Sequence, residues 1–109
     1  DCANFVSQCL HAGGIPTDAT WKADSVSWIR ASAVPSYMVN KGYATKTSYT
    51  NATAGSFAYT SSGAGHAVLV TINDGAKIAY TAHTTDRKDA AFSSTDLNGN
   101  YSFYVIKNY

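Results

Sequence analysis

A thiol at Cys2 and an imidazole at His66 are the two side chains of this sequence best suited to acyl chemistry. In such a pair the imidazole takes the thiol proton, sulfur attacks an amide or ester carbonyl, and the imidazole then protonates the leaving group. A third polar group usually holds the base in its productive orientation. His83 is the candidate for that role, with Tyr80, Thr84, Asp86 and Asn73 as neighbouring alternatives. The remaining histidine, His11, sits just ahead of Gly13-Gly14 and is expected to interact with a helix end rather than to react. One cysteine and two histidines on separate elements also suggest zinc, but they lack close ligand spacing, so catalysis without a metal or other cofactor is the expectation.

These residues need elements to position them. Cys2, Phe5, Val6 and Cys9 recur at helical intervals and predict an apolar helix face, leaving Asn4, Ser7 and Gln8 as a solvated face. Asp1 suits the N-cap, and Gly13-Gly14 followed by Ile15-Pro16 suits the stop. A thiol in the first turn meets the positive end of the helix dipole, which favours the thiolate. Cys2 and Cys9 are seven residues apart on this helix, a rise of about 10 Å. A disulfide cannot span that distance, so both are predicted to be free thiols.

Residues 16–24 read as a loop containing Trp21, and residues 25–34 as a second helix that Pro35 interrupts. From Tyr43 onward Thr, Tyr, Val and Ile alternate between turn residues, predicting strands over 56–60, 66–72, 77–83 and 101–107. Asn73-Asp74-Gly75 predicts a hairpin between the second and third of these, which would make His66 and His83 near neighbours. The loop 61–65 just before His66 should be flexible. Helices first and antiparallel strands afterwards predict an α+β domain with the helices packed on one side of a small sheet.

The chain of 109 residues is one domain over 1–109. Eight Lys and Arg against seven Asp and Glu give a net charge of +1 with no basic cluster, which argues against a nucleic-acid partner. No apolar stretch approaches membrane-spanning length, so no membrane partner is expected. Abundant Ser, Thr, Ala, Asn, Gly and Tyr suit a secreted or cell-surface microbial protein. Trp21, Trp28, Tyr37 and Tyr43 are candidates for core or groove-wall positions, and Trp21, Trp28 and Asp1 are the expected substrate contacts.

The run Asp1-Cys2-Ala3-Asn4-Phe5-Val6-Ser7-Gln8, followed by Ala12-Gly13-Gly14, closely resembles the Asp-Cys-Thr-Asn-Phe-Val-Ser-Gln opening of a bacterial cell-wall amidase domain family. Those domains are papain-like and related to the NlpC-type and CHAP cysteine hydrolases. Ser27-Trp28, Gly55-Ser56-Phe57-Ala58-Tyr59, Gly65-His66-Ala67-Val68-Leu69-Val70 and Ala82-His83-Thr84-Thr85-Asp86 extend the resemblance over nearly the whole chain. It departs at Ser56, where the family usually has Asp. The segment that precedes the cysteine motif in the family is absent, so the chain is expected to be excised from a longer protein.

The resemblance implies cleavage of amide bonds in peptidoglycan, with Cys2 as nucleophile, His66 as base and His83 as the orienting group. The expected partner is a stem peptide or cross-bridge. The expected setting is secreted or cell-wall, bacterial or phage-encoded, and the expected state is a monomer. Acyl transfer or deamidation on the same fold, or a non-catalytic wall-binding remnant, are the rival readings.

Overall fold

The computed structural model describes residues 2–83 and 87–107. The first helix, α1 (Cys2–Ala12), ends at the predicted glycines. Gly13 N–H donates to the Cys9 carbonyl at 3.0 Å and Ile15 N–H to the Leu10 carbonyl at 3.2 Å, while Gly14 takes a φ of 121°. That left-handed step closes the helix without a Cβ penalty. Both cysteines are free thiols.

The expected helix over 25–34 is instead two pieces, α2 (Val26–Ile29) and α3 (Ala33–Asn40). The break falls at Arg30, which is extended (φ −98°, ψ 122°), not at Pro35. Pro35 lies in the first turn of α3, where a backbone N–H has no intrahelical acceptor and its absence costs nothing.

Among the described residues six strands follow: β1 (Ala44–Thr47), β2 (Phe57–Thr60), β3 (His66–Asn73), β4 (Ile78–Ala82), β5 (Arg87–Ala91) and β6 (Ser102–Ile106). They form one antiparallel sheet in the order β1-β6-β2-β3-β4-β5. The last strand thus inserts between the first and second. Four strands correspond to the predicted ones with each end shifted by at most one residue, whereas β1 and β5 were not predicted.

Alternation of side chains divides the core by sheet face. Phe57 and Ala67 face the helices, joining Cys2, Ala3, Val6 and Leu10 of α1 with Trp21, Trp28, Val34, Tyr37 and Met38. Their sequence neighbours Ala58 and Val68 lie with Val70, Ala82, Phe92 and Phe103, and the segment bearing Phe92, Leu97 and Tyr101 covers that second face. No helix among the described residues is long and apolar enough to cross a membrane.

The β3–β4 hairpin turns at Asp74, whose Oδ1 accepts from the N–H groups of Ala76 and Lys77 at 3.0 and 2.8 Å. The Lys77 and Ala76 N–H groups hold the Asp74 carboxyl below its ordinary range. A bulge between Val70 and Ile72 then changes the register. Beyond it Leu69 pairs with Thr81, and the same ladder continued past Ala82 would set His83 across from Ala67. His83 directly follows β4, at the same end of the hairpin as His66.

Candidate active site

Cys2 opens α1 and His66 opens β3, and both line one cavity of about 450 Å³. Val26, Ile29, Arg30 and Ala31 form one wall, and Ala64 and Gly65 complete it beside His66. Cys2 is 9% exposed and borders this opening. His66 is half-buried, and burial is the main cause that pushes its imidazole below the ordinary histidine value. A base that sheds its proton readily is neutral at physiological pH and able to accept one.

The segment ahead of His66, expected to be flexible, is tied by hydrogen bonds. Ser62 N–H donates to Thr60 Oγ1 at 3.2 Å, Gly65 N–H to the Ser62 carbonyl at 3.1 Å, and Ser62 Oγ to Asn100 Oδ1 at 2.7 Å. Gly65 takes a φ of 86°, a conformation that a side chain would strain, and so delivers His66 to the head of β3.

α1 is held by residues that looked like a solvated face. Ser7 is fully buried; its Oγ donates to the Trp28 carbonyl at 2.9 Å and accepts from Trp21 Nε1 at 3.2 Å. Asn4 Oδ1 accepts from Trp28 Nε1 at 2.7 Å. The helix is therefore rotated relative to the predicted face, burying Cys2, Ala3, Val6, Ser7 and Leu10 and leaving Phe5 and Cys9 only half-buried. The indole N–H groups explain this: each needs an acceptor once buried, and Ser7 and Asn4 supply one.

This arrangement corrects the expected substrate role of Trp21 and Trp28. They are 0% and 4% exposed, with ring centroids 4.7 Å apart, and so belong to the core that anchors α1. Asp1 lies outside the described residues, as do Thr84 and Asp86. His11 acts as expected at its helix end, with Nδ1 2.7 Å from the Ile15 carbonyl and its ring edge-on to both indoles.

His83 follows β4, is exposed, and stacks on Phe5 of α1 at a centroid distance of 5.7 Å. It is not among the residues lining the Cys2 cavity. Two sets of interactions went unnoticed in the sequence. Tyr101 is pushed up to about 12, by burial first and then by Asp96, Tyr80 and Cys2, which brings the thiol within electrostatic reach of its phenol. Asp18 accepts from Thr20 N–H, Trp21 N–H and Tyr37 Oη at 2.9, 2.7 and 2.7 Å. The Trp21 N–H and Tyr37 hydroxyl hold that carboxyl below its ordinary range. An Asp three residues before a Trp is a recognisable turn signal, but nothing local announces the partner Tyr37.

Cys9 contrasts with Cys2. It lines a separate cavity of about 360 Å³ at the far end of α1, and burial pushes its thiol up, away from the reactive thiolate. Ser56 borders that cavity, is 1% exposed, and its Oγ has no hydrogen-bond partner. Among the described residues no three His, Cys, Asp or Glu side chains converge as metal ligands.

The sequence matches the family described as "Putative amidase domain" over residues 1–106. It is also 45% identical, over 42 residues, to the uncharacterized protein YjcM of Bacillus subtilis (strain 168). That stretch is 38% of this chain and 10% of YjcM, so the match spans a small part of the curated relative. No solved structure matches.

Proposed function

This chain belongs to the amidase-domain family that it matches over residues 1–106, and from that membership we propose a cysteine amidase with Cys2 as nucleophile and His66 as base. The observation that carries the reading is the shared cavity: the first residue of α1 and the first residue of β3 face one opening. A cysteine-bearing helix ahead of a histidine-bearing antiparallel strand supports a papain-like domain of the NlpC and CHAP kind.

In the reaction His66 takes the Cys2 proton and the sulfur adds to the amide carbonyl. The C–N bond then breaks as the imidazolium gives its proton to the departing amine, leaving a thioester. Water, deprotonated by His66, adds to the thioester; the C–S bond breaks, releasing a carboxylic acid and restoring the thiol. The Cys2 backbone N–H is one donor for the tetrahedral oxyanion. His83, on the neighbouring strand's end, is the group assigned to orient His66.

Peptidoglycan is the proposed substrate, through its stem peptide or cross-bridge. The opening motif supports it, as does a sparsely charged surface rich in Ser, Thr and Asn. The same reading places the protein at the cell wall or outside the cell, working as a monomer. Digestion of purified peptidoglycan, with the new termini identified by mass spectrometry, tests it. New amino and carboxyl termini are the expected products. Intact peptidoglycan, with hydrolysis of an unrelated amide instead, would overturn the substrate assignment.

A further inference from the structure

The cavity wall opposite His66 is unusual in what it exposes. α2 is a single turn pinned to α1 through Trp28, whose carbonyl and Nε1 bond Ser7 and Asn4. With Trp28 fixed inward, the helical period turns Val26 and Ile29, three residues apart, outward on a common face. They are 56% and 48% exposed, the two most exposed large apolar side chains described, and both line the Cys2 cavity. Burying either would be favourable, so their exposure at the mouth of a reactive cavity suits an apolar group brought by a ligand.

Arg30 adds the charge. It ends α2 in an extended conformation, and its backbone is held on both sides, its N–H donating to the Val26 carbonyl and its carbonyl accepting from Ala33 N–H, each at 3.0 Å. Its guanidinium makes no ion pair among the described residues, where the one present joins Lys41 to Asp18. No carboxylate is among the described residues lining the cavity. A planar, permanently charged fork with no ion-pair partner among the described residues, set on an anchored backbone and lining the cavity of the nucleophile, is suited to bidentate capture of a carboxylate.

We infer that α2 and Arg30 form an acidic-peptide subsite, in which Arg30 pairs with a carboxylate of the substrate and Val26 and Ile29 cover a small apolar side chain next to it. The inference rests on the cysteine-amidase reading and adds what that reading leaves open, the chemistry flanking the scissile amide. The carboxylate can be a side chain or a chain terminus; both present the same group to Arg30.

The test uses soluble stem peptides released from peptidoglycan, before and after carbodiimide-mediated amidation of their carboxylates with ammonia. The wild type should cleave the native peptides about 10- to 100-fold better in kcat/KM, the range of a charge-assisted pair. Arg30→Gln should lose a similar factor on native peptides and little on amidated ones, mainly through KM, and Arg30→Lys should recover part of the loss. Synthetic peptides amidated only at the C-terminus or only at the side chain separate the two sources. Equal cleavage of native and amidated peptides by the wild type, or equal losses on both in Arg30→Gln, would overturn the subsite while leaving the amidase reading intact. Cleavage of neither by folded wild type would overturn both.

Discussion

Replacing Ser7 by Ala isolates the interaction that sets the orientation of α1, and with it the position of Cys2. The hydroxyl donates to the Trp28 carbonyl at 2.9 Å and accepts from Trp21 Nε1 at 3.2 Å, at a fully buried position. Alanine keeps the helix propensity and leaves only a small void, so packing and propensity change little. What changes is that an indole N–H and a carbonyl lose a partner where water does not reach. Each such orphaned group costs about 1–3 kcal/mol, so with two of them Ser7→Ala should cost about 2–6 kcal/mol. That is a substantial part of the roughly 5–15 kcal/mol that holds a domain together, and it corresponds to a melting point lowered by roughly 8–24 °C. Urea unfolding followed by circular dichroism measures it, with Gln8→Ala, at an exposed position on the same helix, expected to change stability little. A Ser7→Ala cost below about 0.5 kcal/mol would refute the reasoning, because that is what a solvated serine gives.

Three further outcomes follow from the site and its surroundings. His66→Ala should eliminate hydrolysis in a folded protein, whereas His83→Ala should reduce kcat and His83→Asn should recover part of the loss; equal elimination by both alanines would make His83 a reacting group. Because burial lowers the His66 pKa, the acid limb of kcat/KM should lie below the ordinary histidine value of 6.5, and stability should fall as pH drops through that range, since the unfolded chain takes up the proton first. A limb above 6.5 in the pH-rate profile would contradict the burial of the base. Ser56→Ala removes a buried hydroxyl that has no partner, so calorimetry should find it neutral or stabilising by about 1 kcal/mol; a loss larger than that would reveal a partner for the hydroxyl.

Local signals made α1, its glycine stop and the Asp74 turn legible, because each depends on nearby residues. The apolar runs of β2, β3 and β6 were legible for the same reason. β5 was not: Lys88, Asp89, Ala90 and Ala91 have little strand preference, and the strand exists because β4 offers an unpaired edge, with Asp89 N–H and Oδ1 tied to Thr81 and Thr71. Insertion of β6 between β1 and β2 joins residues roughly 40 to 60 positions apart, which no local pattern encodes. Within the candidate site, Cys2 and His66 stand out by residue type and position, and the two line one cavity. The roles of Ser7, Asn4 and the two tryptophans do not, because polarity alone does not reveal that a serine faces two indoles. The register of the β3–β4 hairpin was not legible, because the pairing of Asn73 with Ile78 and the bulge after Val70 set it together, and no glycine or other local signal marks that bulge.

The central claim is that Cys2, and not Cys9, attacks the amide. Hydrolysis of purified peptidoglycan by Cys2→Ala and Cys9→Ala, each with a wild-type circular dichroism spectrum, tests it most directly. Cys2→Ala should fall to the uncatalysed background, while Cys9→Ala, whose thiol borders a different cavity and is pushed away from the thiolate by burial, should retain most activity. Turnover at the wild-type rate by Cys2→Ala, or its loss in folded Cys9→Ala alone, would contradict the account.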